Sequence, residues 1–128
     1  MTLRAALLTP LGRLVVGETE GVITSLRWSD EVAADDSPLL RQALAQLAGY
    51  FAGERQVFDL PLDWGEGLHA RVRRAMAAIP FGQTRSYGEI ARDVGAPAQA
   101  VGQACGANPV PVIIPCHRVL GAAGLGGF

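Results

Sequence analysis

Ser86-Tyr87-Gly88-Glu89-Ile90-Ala91-Arg92-Asp93-Val94-Gly95-Ala96-Pro97-Ala98-Gln99-Ala100-Val101-Gly102-Gln103-Ala104-Cys105-Gly106-Ala107 is the stretch on which the fold turns. Ser86 can cap a helix, and Glu89 three residues later completes a capping box, so a helix is predicted from Ser86 to Val94. Gly95-Ala96-Pro97 is a tight turn. A second helix is predicted from Ala98 to Ala107, ended by Asn108-Pro109. Two short helices joined by a glycine-containing turn form the helix-turn-helix pattern. The bare pattern fits a DNA-binding unit and also the helix pairs of many other folds.

Outward from this pair, Leu68 to Ile79 reads as a preceding helix closed by Pro80-Phe81-Gly82. On the other side, Pro109-Val110-Pro111-Val112-Ile113-Ile114-Pro115 is apolar, β-branched and fixed by prolines. Its prolines forbid a helix or a central strand, so a stiff, extended, buried segment is expected, delivering Cys116 to a defined place. Gly121 to Phe128 reads as a loop. The N-terminal half differs. Leu3 to Leu8, Leu11 to Gly17 and Val22 to Trp28 are short alternating strands, with turns at Thr9-Pro10-Leu11-Gly12 and Glu18 to Gly21. Asp35-Asp36-Ser37-Pro38 marks a helix start. Leu39, Leu40, Ala43, Leu44, Leu47, Tyr50 and Phe51 then recur at helical spacing. Residues 53–66 have no clear period and are expected to link the halves. The fold class is therefore α/β of the α+β kind. A small antiparallel sheet with one helix is expected over 1–60. An all-helical or winged helix-turn-helix-like domain is expected over 61–128.

The chain of 128 residues is 49 % hydrophobic and 18 % charged, enough to bury a core and too little charged for a disordered chain. No apolar run approaches the roughly 20 residues that span a bilayer. Met1 to Gly12 shows no signal-peptide pattern, so no membrane and a cytoplasmic location are expected. Two cysteines in such a chain are read as free thiols, and their spacing is no zinc pattern, so no metal is expected. The net charge is −1, but it is unevenly spread. Residues 1–66 carry five arginines against ten carboxylates, a balance of −5, and residues 67–128 carry six against two, a balance of +4. Two readings stand: a second half that approaches a polyanion, or the chance unevenness of small domains.

Cys116 and His117 are adjacent. A thiol becomes a strong nucleophile as the thiolate, and a base, or a water held by one, can take its proton. The pair alone fits a reactive site acting through a bridging water, and equally a structural cysteine beside a satisfied histidine.

Pro115-Cys116-His117-Arg118-Val119, preceded by Asn108-Pro109 and the proline-rich run, resembles the signature of the O6-alkylguanine-DNA alkyltransferases. Thr9-Pro10-Leu11-Gly12 resembles that family's N-terminal hairpin turn. Tyr50 to Arg55 and Phe58 to Leu62 resemble its inter-domain segment, and Ile79 to Ala91 the start of its DNA-binding unit. The resemblance implies an RNase H-like domain over 1–60 and a single-use repair protein, expected to be a monomer. Its partner is duplex DNA carrying alkylated guanine, flipped out of the stack, and it needs no cofactor. By motif, Cys116 is the alkyl acceptor, His117 helps deprotonate it through water, and Asn108 fixes the turn ahead of it. Tyr87, Pro115 and Val119 match the substrate pocket. Ser86, Tyr87, Gln99, Ala100, Gly102 and Gln103 match DNA-binding positions. Arg118 is expected to anchor the fold.

Three departures stand out. Gln99 occupies the position where the family usually has the arginine that fills the gap left by the flipped base, which predicts weaker flipping or weaker DNA affinity. Arg73 stands where the family often has a large apolar residue; with Arg71 and Arg74 it reads as a phosphate-facing patch or, the preferred reading, a solvated face. The family's pattern continues past the position of Phe128 with a glycine-rich loop and a helix carrying the glutamate that orients the histidine. Within the 128 residues that helix is expected to be missing, which leaves the acidic partner of His117 unidentified. The competing expectation is a non-catalytic module that binds alkylated bases and flags them for another pathway.

Overall fold

The computed structural model describes residues 1–121 and 124–125. The chain divides into two compact units, Met1–Asp63 and Trp64–Phe128.

In the first unit, β1 (Thr2–Thr9), β2 (Gly12–Thr19) and β3 (Val22–Trp28) form an antiparallel sheet in that order. The two-residue connection between β2 and β3 sets both Glu20 and Gly21 at positive φ (50° and 83°), the turn whose twist matches the strands it joins. Between β1 and β2, Thr9 Oγ1 donates to the Gly12 carbonyl and accepts from Leu11 N, which pins the Pro10-Leu11 tip. Inward positions Ala5, Leu14, Val16, Ile23 and Leu26 are buried. The helix α1 (Pro38–Phe51) starts at Ser37, whose Oγ accepts from Leu40 N, with Pro38 in the first turn. Its Leu40, Ala43 and Leu47 are buried with the sheet's inward residues. Gln46 is buried as well, because its amide bonds both the N–H and the carbonyl of Asp59, as a strand neighbour would. Residues 53–63 belong to this unit and do not form a free linker. Pro61 O accepts from Ile23 N, and Asp63 N donates to Ile23 O, so this segment pairs beside β3.

In the second unit, α2 (Gly67–Ala77), α3 (Tyr87–Val94) and α4 (Ala98–Gly106) pack around Val72, Met76, Ile79, Ile90, Val101, Ala104 and Ile114. The unit is not all-helical. β4 (Arg85–Ser86) runs parallel to β5 (Val119–Gly121), which pairs antiparallel with β6 (Gly124–Leu125). The winged form of the expectation is therefore the one found. The loop expected from Gly121 to Phe128 is corrected at Gly121 and at Gly124–Leu125, which are strand; residues 122–123 and 126–128 lie outside the described residues.

Two further expectations change. The segment from Pro109 to Pro115 is not extended. Ile114 N donates to Val110 O at 2.9 Å, and Val112 takes a φ of 73°, so the run folds back on itself. Proline fixes its own φ and biases the residue before it, here Asn108, Val110 and Ile114, away from helix, but it leaves Val112 free to reverse the chain. Arg73 is also not on a solvated face: it is 9 % exposed, and among the described residues its Nε has no hydrogen-bond partner, while Arg71 is exposed and Arg74 lies over the Trp64 ring. Only part of the guanidinium patch therefore faces water.

Candidate active site and nucleic-acid surface

Asn108 organises the loop ahead of Cys116 from both ends. Its Nδ2 donates to Ile114 O at 2.9 Å, and its Oδ1 accepts from Val110 N at 3.1 Å. A side-chain amide suits this role because it offers a donor and an acceptor in one plane. Pro115, buried, then leads into a 3₁₀ turn over Cys116–Arg118. Cys116 N donates to Ile114 O, and Arg118 N to Pro115 O, so the backbone on either side of the thiol is fixed. Val119, 1 % exposed, opens β5 and pairs with Arg85, while Leu120 pairs with Ser86.

Ser86 thus has two duties. It belongs to β4, and its Oγ accepts from Glu89 N while Glu89 Oε1 accepts from Ser86 N, the predicted capping box. Those hydrogen bonds, with the nearby cations Arg85 and Arg92, hold the Glu89 carboxyl below its ordinary range. Tyr87, the first residue of α3, is half-buried. Burial raises its phenol pKa, and the Cys105 and Cys116 thiols raise it further. Cys105, on the inner face of α4, is 1 % exposed and is pushed up to about 11, by burial first and by Cys116 second. Tyr87, Cys105 and Cys116 are therefore close enough to sense one another's charge. Cys116 is the more accessible of the two free thiols.

His117 projects outward and is exposed. Enough protein still surrounds the ring for desolvation to lower its pKa, and the Arg118 charge lowers it further. Among the described residues no hydrogen bond joins His117 directly to Cys116. Arg118 turns inward, where its Nη1 donates to Ile79 O at 2.7 Å. That anchoring contact, expected in kind, has a partner that no local pattern in the sequence marks.

Gln99 and Gln103 are exposed on α4, with Ala100 and Gly102 half-exposed, while Val101, Ala104 and Cys105 face inward. A side chain at Gly102 would meet nothing within 4 Å, so this face of α4 is smooth and open. The expected DNA-facing positions of α4 thus share one surface. Cys105, in the same helix, does not belong to it. Among the described residues no group of three or more His, Cys, Asp or Glu side chains is placed to hold a metal.

Two family models match the chain. Residues 3–64 match the ribonuclease-like domain of 6-O-methylguanine DNA methyltransferase, and residues 67–128 match its DNA binding domain. A methylated-DNA–protein-cysteine methyltransferase of Mycolicibacterium paratuberculosis is 44 % identical over 126 residues, covering 91 % of this chain and 76 % of that protein. The constitutive one of Bacillus subtilis is 43 % identical over 127 residues, covering 88 % and 77 %. Among solved structures, the O6-methylguanine methyltransferase of Mycobacterium tuberculosis superposes with a TM-score of 0.87 at 42 % identity, over 100 % of this chain and 84 % of that one. The structure of Mycobacterium tuberculosis OGT in complex with DNA gives 0.84 at 44 % identity, over 96 % and 81 %.

Proposed function

The chain belongs to the 6-O-methylguanine DNA methyltransferase family, and from that membership we propose that Cys116 is the atom-accepting centre of its reaction. The protein is a DNA-repair methyltransferase of the single-use kind, acting by alkyl transfer, and DNA is its partner. The finer assignment is ours. Its substrate is O6-alkylguanine in duplex DNA, turned out of the stack, and the protein acts as a monomer in the cytoplasm. Among the described residues no helix is long and apolar enough to cross a membrane.

The observation that carries the assignment is the rigid mounting of a half-exposed thiol. Displacement at an alkyl carbon requires the sulfur in line with the breaking C–O bond, and fixed geometry supplies most of the rate. The thiol proton passes through a bridging water to the His117 imidazole. Sulfur bonds the alkyl carbon as the carbon–O6 bond breaks, and the departing guanine takes up one proton. The thioether is stable, so the protein turns over once, and the sulfur itself is the acceptor. Tyr87, Pro115 and Val119 border the base. The exposed face of α4 (Gln99, Ala100, Gly102, Gln103), together with Ser86 and Tyr87 at the start of α3, meets the DNA.

The test is incubation with duplex DNA carrying O6-methylguanine, followed by mass analysis of the proteolysed chain. One methyl is expected on the peptide containing Cys116 and none on that containing Cys105. Cys116→Ser should abolish the gain. Tight binding of the lesion with no mass change would replace this reading with that of a non-catalytic flagging module.

A further inference from the structure

Arg118 is a buried cation whose environment is short of negative charge. It is 9 % exposed, and among the described residues no carboxylate lies within ion-pair distance of it. Its guanidinium instead donates to the Ile79 carbonyl at 2.7 Å and lies 5.5 Å from the centroid of the Phe81 ring. Ile79 follows directly on the C-terminal cap of α2, Ala78, where the helix gathers partial negative charge. A carbonyl, a helix end and a ring face return part of what desolvating a guanidinium costs, but not what a buried carboxylate would. The guanidinium closes the turn that carries Cys116 and His117.

We propose that Arg118 is a positioning residue for alkyl transfer: by tying the 3₁₀ turn to Ile79 and Phe81 it aligns the Cys116 sulfur for in-line attack. The proposal rests on the function given above. The turn is held at three points. Asn108 holds the entry, the pairing of Val119 and Leu120 with β4 holds the exit, and Arg118 holds the middle. Without the Arg118 side chain the turn keeps its own backbone bonds and its ties at entry and exit, but loses its link to Ile79 and Phe81. Burial first, and the Arg118 charge second, also lower the His117 pKa. The other titratable groups gathered around the thiol are Tyr87 from α3 and Cys105 from α4, both neutral at pH 7 and both with raised pKa values. Arg118 makes and breaks no bond in the reaction. It sets where the sulfur stands.

The experiment compares the wild type with Arg118→Met and Arg118→Lys in the full chain. Three quantities are read: the single-turnover methyl-transfer rate at saturating DNA, the Kd for the same DNA, and the pH dependence of Cys116 labelling by iodoacetamide without DNA. Arg118→Met should lower the transfer rate about tenfold or more at unchanged Kd. It should also move the His117-dependent limb of the labelling profile to higher pH. Arg118→Lys should keep the wild-type labelling limb, since the charge remains, and lose part of the rate, since the planar fork is gone. An Arg118→Met protein with the wild-type transfer rate overturns the proposal. Should Arg118→Met fail to fold, Arg118→Lys decides, and a wild-type transfer rate for it overturns the positioning role. A wild type inert toward O6-methylguanine would sink the proposed function, while the labelling comparison would still judge Arg118.

Discussion

His117 and Cys105 show how single side chains set the working range of the site. Because the His117 pKa is lowered, the imidazole stays neutral further into acid than a free histidine would. The transfer rate should therefore hold as pH falls to the ordinary histidine range of about 6.5 and drop only below it. A single-turnover pH profile checks this, and an acid limb above that range would contradict it. The linked effect on stability has a definite sign. The unfolded chain takes up the proton first, so stability is complete above the ordinary histidine pKa and declines as pH falls through it. Cys105, pushed to about 11, should resist iodoacetamide at pH 8 while Cys116 reacts. Gln99 is exposed at the start of α4 with room around it, so Gln99→Arg should fold normally and raise the repair rate on duplex DNA. An unchanged rate would show that glutamine at this position does not weaken flipping. At this scale Cys116, His117 and Asn108 were legible from their string. The partner of Arg118, the Ile79 carbonyl, and the burial of Arg73 were not, because neither leaves a periodic signal.

At the scale of elements, α3 depends on local chemistry that also reaches the active-site loop. Ser86→Ala removes the acceptor for Glu89 N at 3.1 Å and should cost about 1 kcal/mol, read as a melting point lowered by several degrees. Because Ser86 also pairs with Leu120, hydrogen exchange at β5 should quicken in the same variant; unchanged protection there would separate the cap from the strand. Caps, turns and helical spacing are encoded within a few residues, which is why α1, α3 and α4 were readable to within two residues of their observed ends. β4 was not, since a two-residue strand has no period of its own and finds its partner at Val119, far along the chain. The folded-back proline loop escaped for a related reason. Proline content limits each residue's φ, but the reversal at Val112 is held by Asn108 and by the bond from Ile114 N to Val110 O.

For the molecule as a whole, the division of charge has a measurable consequence. DNA affinity should fall linearly with salt on logarithmic axes as phosphate counterions are released. Replacing exposed Arg71 and Arg92 of the second unit by alanine should weaken binding and flatten that slope. The same change at exposed Arg13 and Arg41 of the first unit should do neither, and equal effects from both pairs would show that charge position is immaterial. The sequence by itself determined the three-stranded start, the capped helices, the helix-turn-helix and the family to which the Pro-Cys-His-Arg-Val string belongs. All of these rest on interactions between residues a few positions apart, or on a motif whose chemistry is local. Only the tertiary structure decided that Gln46 stands in for a strand against Asp59, that Arg85 and Ser86 pair with the strand leaving the reactive turn, and that Arg118 spends its charge on the Ile79 carbonyl. Each of these joins groups distant in sequence, and a buried polar atom takes whichever partner packing brings within reach.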